Sequence, residues 1–423
     1  MSSSVRRRVL KWCGTAAAGV VLLSSGGAGI SDAAQKPAPD RPAAGGCGIA
    51  VPSGSATLTV QSGGLARTVI VHVPAGYHDW RRTPLVVNLH GSGTTAQLQQ
   101  GLSGMDTTAD QHDFLVAYPQ GLIPQQISTL SGYDWYTPGD LLYGGAPVPP
   151  NPPDDAAFIT ALPTLLAQSY CVDPSRVYLT GFSDGGRLTS YLACHASRVF
   201  AADAPIAGLR LPSPCPAGRP IPMISFHGTA DPVDPYQGHS QQYWTYSVPQ
   251  AAQYWAEQDR CFPVPRTATG SGYSLTSYMH CAGQADVQLY TVDGEGHEWP
   301  GGPPLPPALT SILGPQSDAV DANSVMWTFF AHHPMPPVSC QDTECSRVPR
   351  SSRGTREDLA GITTAAALVV IGSYVYLHGV PPATSPLRIP SSPYAPTPYR
   401  IGLCTATIGP AVSAIAVCPA TTD

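Results

Sequence analysis

The sequence predicts an α/β fold: a mostly parallel central sheet with helices on both faces, stapled by disulfides. Three observations carry this expectation. Short apolar runs, each closed by turn residues, recur at 68–73, 85–89, 114–118, 177–179, 223–226 and 287–292. Runs this short and uniformly apolar suit strands buried on both faces. Helix-compatible segments lie between them at 155–169, 185–197 and 250–258, and strand alternating with helix is the pattern of crossover-linked parallel strands. The third observation is the cysteine count. Of eleven cysteines, Cys13 falls in an N-terminal export signal and ten remain, an even number that argues for disulfides in an exported chain.

Taken in chain order, residues 1–33 read as that signal. Arg6-Arg7-Arg8 precedes an apolar stretch at 14–23, and Ser31-Asp32-Ala33 offers a cleavage site, so the protein is expected to be secreted. Arg6-Arg7 followed by Val9-Leu10-Lys11 also fits a twin-arginine signal. Residues 34–46 form a Pro/Ala/Gly linker without hydrophobic periodicity. The folded domain is expected over 47–333. Beyond it, 334–423 reads as a poorly ordered tail, although its apolar segment 359–380 is long enough to span a bilayer. Four Arg at 347–356 lie on the side that would stay outside, contrary to the positive-inside tendency, and weaken the membrane reading.

Composition narrows the function. The chain carries 46 Pro and 42 Gly in 423 residues but is 43% hydrophobic, enough apolar material for a core. Its net charge is −6, and residues 47–333 hold 10 Arg and no Lys against 21 Asp plus Glu. No basic stripe is available for phosphates, so a nucleic-acid partner is excluded. With no Cys-x-x-Cys pair and no His-Glu-x-x-His, no metal or other cofactor is expected.

The chemistry concentrates in Gly181-Phe182-Ser183-Asp184-Gly185-Gly186, directly after the strand-like 177–179 and before a helix-compatible segment. This is a G-x-S-x-G nucleophile elbow in its required context, a serine raised on a tight strand-to-helix turn. Such a serine needs a base, and the base an orienting carboxylate; in α/β-hydrolases they follow in the order acid, then His. Asp231 follows the run 223–226 and His297 follows 287–292, both in loops at strand ends, where open α/β sheets collect their chemistry. Asp234 is the alternative acid. His227 reads as structural, because it stands too close to Asp231 in sequence to serve the same triad as base. The oxyanion hole is expected from the backbone N–H of Asp184 and of Ser92, the latter in His90-Gly91-Ser92-Gly93 after the run 85–89. Trp135, Tyr136 and Trp299 are candidates for a substrate-binding wall.

These residues, with FLVAYPQG, YCVDPSRVYLTGFSDGG, FHGTADPVDPY and GEGHEWPGG, resemble the secreted polyhydroxybutyrate depolymerase and feruloyl esterase family. The likeness runs from about 47 to 333. It implies an α/β-hydrolase fold with Ser183, Asp231 and His297 as triad, and disulfides pairing Cys47 with Cys171, Cys194 with Cys215, and Cys261 with Cys281. Cys340, Cys345, Cys404 and Cys418 lie outside it and their pairing stays open. The function expected is a secreted serine carboxylic-ester hydrolase acting through an acyl-enzyme on feruloyl or acetyl esters of plant polysaccharide. A polyhydroxybutyrate depolymerase is the alternative enzyme, and a non-catalytic binding protein on the same fold the alternative of another class.

Overall fold

The computed structural model describes residues 45–128, 130–240 and 244–336, and the backbone of 401–407 and 413–419. The export signal, most of the linker and the apolar segment 359–380 lie outside the described residues. So do Cys340 and Cys345, and the side chains of Cys404 and Cys418.

The domain begins with an antiparallel pair, β1 (Gly54–Ser62) and β2 (Leu65–Val73), then β3 (Thr83–Leu89). Two short helices, α1 (Ala96–Ser103) and α2 (Met105–His112), lead to β4 (Leu115–Pro119). A separate hairpin follows, β5 (Ile123–Ile127) with β6 (Leu130–Asp134). Next come α3 (Asp155–Leu166), β7 (Val172–Phe182), α4 (Asp184–His195), β8 (Asp203–Ile206) and β9 (Met223–Gly228). The last third holds α5 (Val248–Gln258), β10 (Arg266–Gly270), β11 (Tyr273–Tyr278) and β12 (Val287–Val292). It closes with α6 (Pro307–Leu313) and α7 (Ala322–His332).

Among the described residues one ten-stranded sheet runs in the order β1-β2-β4-β3-β7-β8-β9-β12-β11-β10. The six central strands from β4 to β12 pair in parallel, and the pairs at both edges are antiparallel. This is the α/β-hydrolase sheet that the nucleophile elbow demands. Strand alternation divides the core: Leu85, Val87 and Leu89 of β3 face α3 and α4, while Val86 faces the side of α1, α2 and α7. Period-two alternation on a sheet covered on both faces explains why every residue of β3 and β4 is apolar or buried.

Each helix docks an apolar stripe of helical period. Phe158, Ile159, Leu162 and Leu166 of α3 enter the same core cluster as Leu188 and Leu192 of α4. Val248, Ala251, Ala252 and Trp255 of α5 pack on Met223 and Leu289. Asp154 caps α3 by accepting from the Ala157 amide at 2.8 Å, and Thr95 caps α1 in the same way. The expected helix at 155–169 ends three residues early, its last turn following Pro163. Three disulfides close as the resemblance implied: Cys47–Cys171, Cys194–Cys215 and Cys261–Cys281.

A second unit of the chain holds a hairpin, β13 (Ile401–Thr407) with β14 (Ser413–Pro419), antiparallel in the register Ile401↔Pro419 to Thr407↔Ser413. Among the described residues no helix is long and apolar enough to cross a membrane.

Candidate active site

Because the central strands are parallel, the loops leaving β3, β7, β9 and β12 emerge at one edge of the sheet. Ser183 stands at the end of β7 with φ 57° and ψ −117°, a conformation that a residue carrying a Cβ adopts only under constraint. The glycines around it permit the turn. A Cβ on Gly181 would strike the Gly185 carbonyl, and one on Gly185 would lie 2.6 Å from the carbonyl oxygens of Leu89 and His90. Close approach of α4 to the loop after β3 therefore excludes any side chain there.

The loop after β9 brings Asp231 to the loop after β12, where His297 Nδ1 lies 2.7 Å from Asp231 Oδ2. Asp231 Oδ1 accepts from the amides of Val233 and Asp234, both at 2.8 Å. His227 Nε2 lies 3.1 Å from Asp231 Oδ2 and 2.8 Å from the Asp234 carbonyl oxygen. Burial alone would raise the Asp231 pKa; facing His297 and the hydrogen bond from His227 outweigh it and hold the carboxyl well below the usual range. Burial works against the His297 cation, but Asp231 wins and raises the imidazole above 6.5. With Nδ1 donating to Asp231, Nε2 is the acceptor nitrogen, and it makes no hydrogen bond to the described residues. Asp234 is buried and its pKa is raised by that burial; its backbone, through N–H and C=O, supports the Asp231 loop.

The loop after β3 lies against the nucleophile: a Cβ on Gly91 would sit 3.2 Å from the Ser183 Cβ. Its shape is fixed from beneath. His90 Nδ1 donates to the Gly91 carbonyl at 2.8 Å, while Nε2 accepts from Gln120 Nε2 and the Gly121 amide, both at 3.0 Å. Burial lowers the His90 pKa to about 4, so the ring stays neutral in the tautomer this pattern needs. Asp134 Oδ1 accepts from the Gly93 amide at 3.0 Å. Asp184 is the first residue of α4, and its amide has no intrahelical acceptor.

Ser92, Ser183 and His297 line one cavity, walled also by α1, the β5–β6 hairpin, Tyr143, Phe182, Val233 and α6. Trp135 is not among them. Its ring is 1% exposed, with Nε1 donating to the His90 carbonyl and its backbone N–H to Asp184 Oδ2, both at 2.8 Å. It thus ties together the two segments that carry the Ser92 and Asp184 amides. Trp299 is equally buried and donates to Asn323 Oδ1 at 3.1 Å. Tyr136 also stands outside the cavity, its amide held by Asp155 at 2.7 Å. Sequence reasoning missed the aliphatic wall of α6, whose signal was Leu309, Ile312 and Leu313 at helical spacing in a Pro-rich stretch.

A mostly parallel sheet with a serine held in a strand-to-helix elbow defines a protein of the α/β-hydrolase fold. The family model described as Esterase PHB depolymerase matches residues 68–232. Among curated relatives, a putative esterase NocK of Nocardia uniformis subsp. tsuyamanensis is 31% identical over 261 residues, 56% of this chain and 72% of that one. Feruloyl esterase B of Piromyces equi is 29% identical over 55% of this chain and 42% of its own. Poly(3-hydroxyalkanoate) depolymerase C of Paucimonas lemoignei is 37% identical over 32% of this chain and 30% of its own. The chain thus spans less than half the length of the latter two. It belongs to the Esterase PHB depolymerase family.

Proposed function

We propose that the chain is an exported serine carboxylic-ester hydrolase in which Ser183 is the nucleophile, His297 the general base and Asp231 the orienting acid. The carrying observation is the 2.7 Å contact of His297 Nδ1 with a buried Asp231, which leaves Nε2 as acceptor in the cavity that Ser183 lines. In this reading Ser183 Oγ attacks the ester carbonyl while its proton passes to His297 Nε2. The amides of Ser92 and Asp184 donate to the oxyanion. The tetrahedral adduct collapses, His297 returns the proton to the departing alcohol, and an acyl-enzyme remains. Water, deprotonated by His297, then releases the acid and regenerates Ser183. The disulfides support an oxidising compartment and with it export.

Ser183→Ala, folded by circular dichroism, is expected to lose hydrolysis of p-nitrophenyl acetate and labelling by a fluorophosphonate. Undiminished hydrolysis overturns the assignment, and a wild type that neither labels nor turns over is a binding protein. For the substrate, the family resemblance supports feruloyl or acetyl groups on plant polysaccharide. The aliphatic cavity wall favours a second reading, an aliphatic polyester. Methyl ferulate, acetylated xylan and polyhydroxybutyrate assayed side by side separate the two.

A further inference from the structure

The cavity beside Ser183 is more specific in its chemistry than an ester site has to be. Five of its side chains, Leu98, Ile127, Leu130, Ile312 and Leu313, are neither buried nor fully exposed. They arise from three separate elements, α1, the β5–β6 hairpin and α6, and converge on one space. Aliphatic surface left partly in water is surface that an apolar ligand gains by covering. No charged side chain other than the base His297 lines the cavity. Of its polar groups, the Ser92 amide, Ser183 and His297 are assigned above to the reaction, and the Thr94 hydroxyl is committed to the Gly91 carbonyl at 2.6 Å. The Tyr143 and Ser92 hydroxyls are left to meet a polar substituent, the latter without a hydrogen bond among the described residues, and the buried Trp135 and Trp299 are turned away into the scaffold. A sugar ring would have to strip its several hydroxyls of water here with only the Ser92 and Tyr143 side chains to replace it, which is costly.

We propose that this cavity seats an unsubstituted aliphatic chain of the ester, laid against the Leu98, Ile127, Leu130, Ile312 and Leu313 side chains. The inference rests on the serine esterase reading above and, of its two substrate readings, takes the aliphatic one over the feruloyl or acetyl-polysaccharide one. The shared chemistry is the aliphatic chain, which either the acyl or the alcohol side of the ester can supply.

Two series on the intact chain test it. One lengthens the acyl group, from p-nitrophenyl acetate through butanoate and hexanoate to octanoate. The other lengthens the alcohol, from ethyl through butyl to hexyl acetate. In one series kcat/KM is expected to climb with length, by up to about fourfold per methylene, the value for complete burial of each. The responding series identifies the side that enters the cavity. Ile312→Ser is expected to flatten that climb, and Leu130→Ser, from a different element, to do the same should the first variant fold poorly. Flat or falling values in both series overturn the proposal, as does methyl ferulate surpassing the best aliphatic ester, or an unchanged slope in the folded variants. In each of those cases hydrolysis of some ester persists and the serine esterase reading stands; if no ester is cleaved at all, both fall.

Discussion

Two histidines converge on Asp231. His297 takes Oδ2 at 2.7 Å from one side, and His227 Nε2 approaches the same oxygen at 3.1 Å while facing the Asp234 carbonyl at 2.8 Å. A carbonyl oxygen only accepts, so His227 Nε2 carries the proton and the ring is a donor to both oxygens. Its stack on Trp244, with ring centroids 5.6 Å apart, fixes the imidazole plane. In the proposed triad His227 is thereby placed to position the acid, although its closeness to Asp231 in sequence reads only as structural. His227→Ala removes a charge-assisted hydrogen bond worth about 1.5–3 kcal/mol, and kcat is expected to fall by about tenfold or more with KM little changed. Asp231, with one donor fewer, would draw the His297 proton more strongly, so the acid limb of the kcat/KM profile should move to higher pH. His227→Gln, which restores an N–H donor, should recover part of both effects. A variant that loses thermal stability while its pH profile stays in place would make His227 a packing residue only.

At the level of elements, the loop between β12 and α6 carries an electrostatic load. Its backbone is clamped on both sides: the Glu295 carbonyl accepts from the Ala230 amide at 2.8 Å, and the His297 amide donates to the Leu313 carbonyl at 2.6 Å. Glu295 and Glu298 flank His297 and are 1% and 2% exposed. Burial, then repulsion from Glu298, pushes the Glu295 pKa up to about 8; burial pushes Glu298 to about 7. Folded values above the ordinary 4.5 mean that the folded state holds protons the unfolded chain has released. Their contribution to stability is therefore complete below pH about 4.5 and is lost as pH rises toward about 8. Glu295→Gln keeps the shape without the charge, so its melting temperature should exceed the wild type's at pH 8, by about 2 °C for each kcal/mol relieved, and match it near pH 4. Equal melting curves at both pH values would show that Glu295 stays ionised within the fold. This loop also shows what sequence reading can reach. The positions of Ser183, Asp231 and His297 at strand ends are legible because each follows a short, mostly apolar run, and parallel pairing then brings the ends of such runs together. The α6 wall is not, since seven residues of Pro-rich sequence give too short a stripe to distinguish from a loop. Trp135 shows a different limit: an aromatic residue in a long loop gives the same signal whether it faces substrate or, as here, donates its indole N–H to the scaffold.

Across the whole molecule, the six parallel strands were legible from their apolar runs, except β8, whose four residues Asp203–Ile206 are too short to register. Of the antiparallel strands β2 was legible from the run 68–73, whereas the outermost strands were missed for a physical reason: β10 is exposed along its whole length and β1 along most of it, so no continuous apolar run marks them. A sheet assembled from distant segments depends on long-range closure, and here the disulfides bear unequally on it. Cys47–Cys171 spans 124 residues and encloses β1 to β4, the β5–β6 hairpin and α3, whereas Cys194–Cys215 and Cys261–Cys281 span 21 and 20. If a crosslink acts mainly by limiting the unfolded chain, the long loop is worth about 5 kcal/mol and each short one about 3. Replacing Cys47 and Cys171 together by Ser should therefore lower the denaturation free energy by about 2 kcal/mol more than replacing Cys261 and Cys281, as read from urea titrations of oxidised protein. The two variants should keep similar kcat/KM while folded, because neither pair touches the Ser183 cavity. Equal losses, or a larger loss at Cys261–Cys281, would mean that the bridges act through native contacts around β11 and α5, and the closure argument for the large sheet would fail.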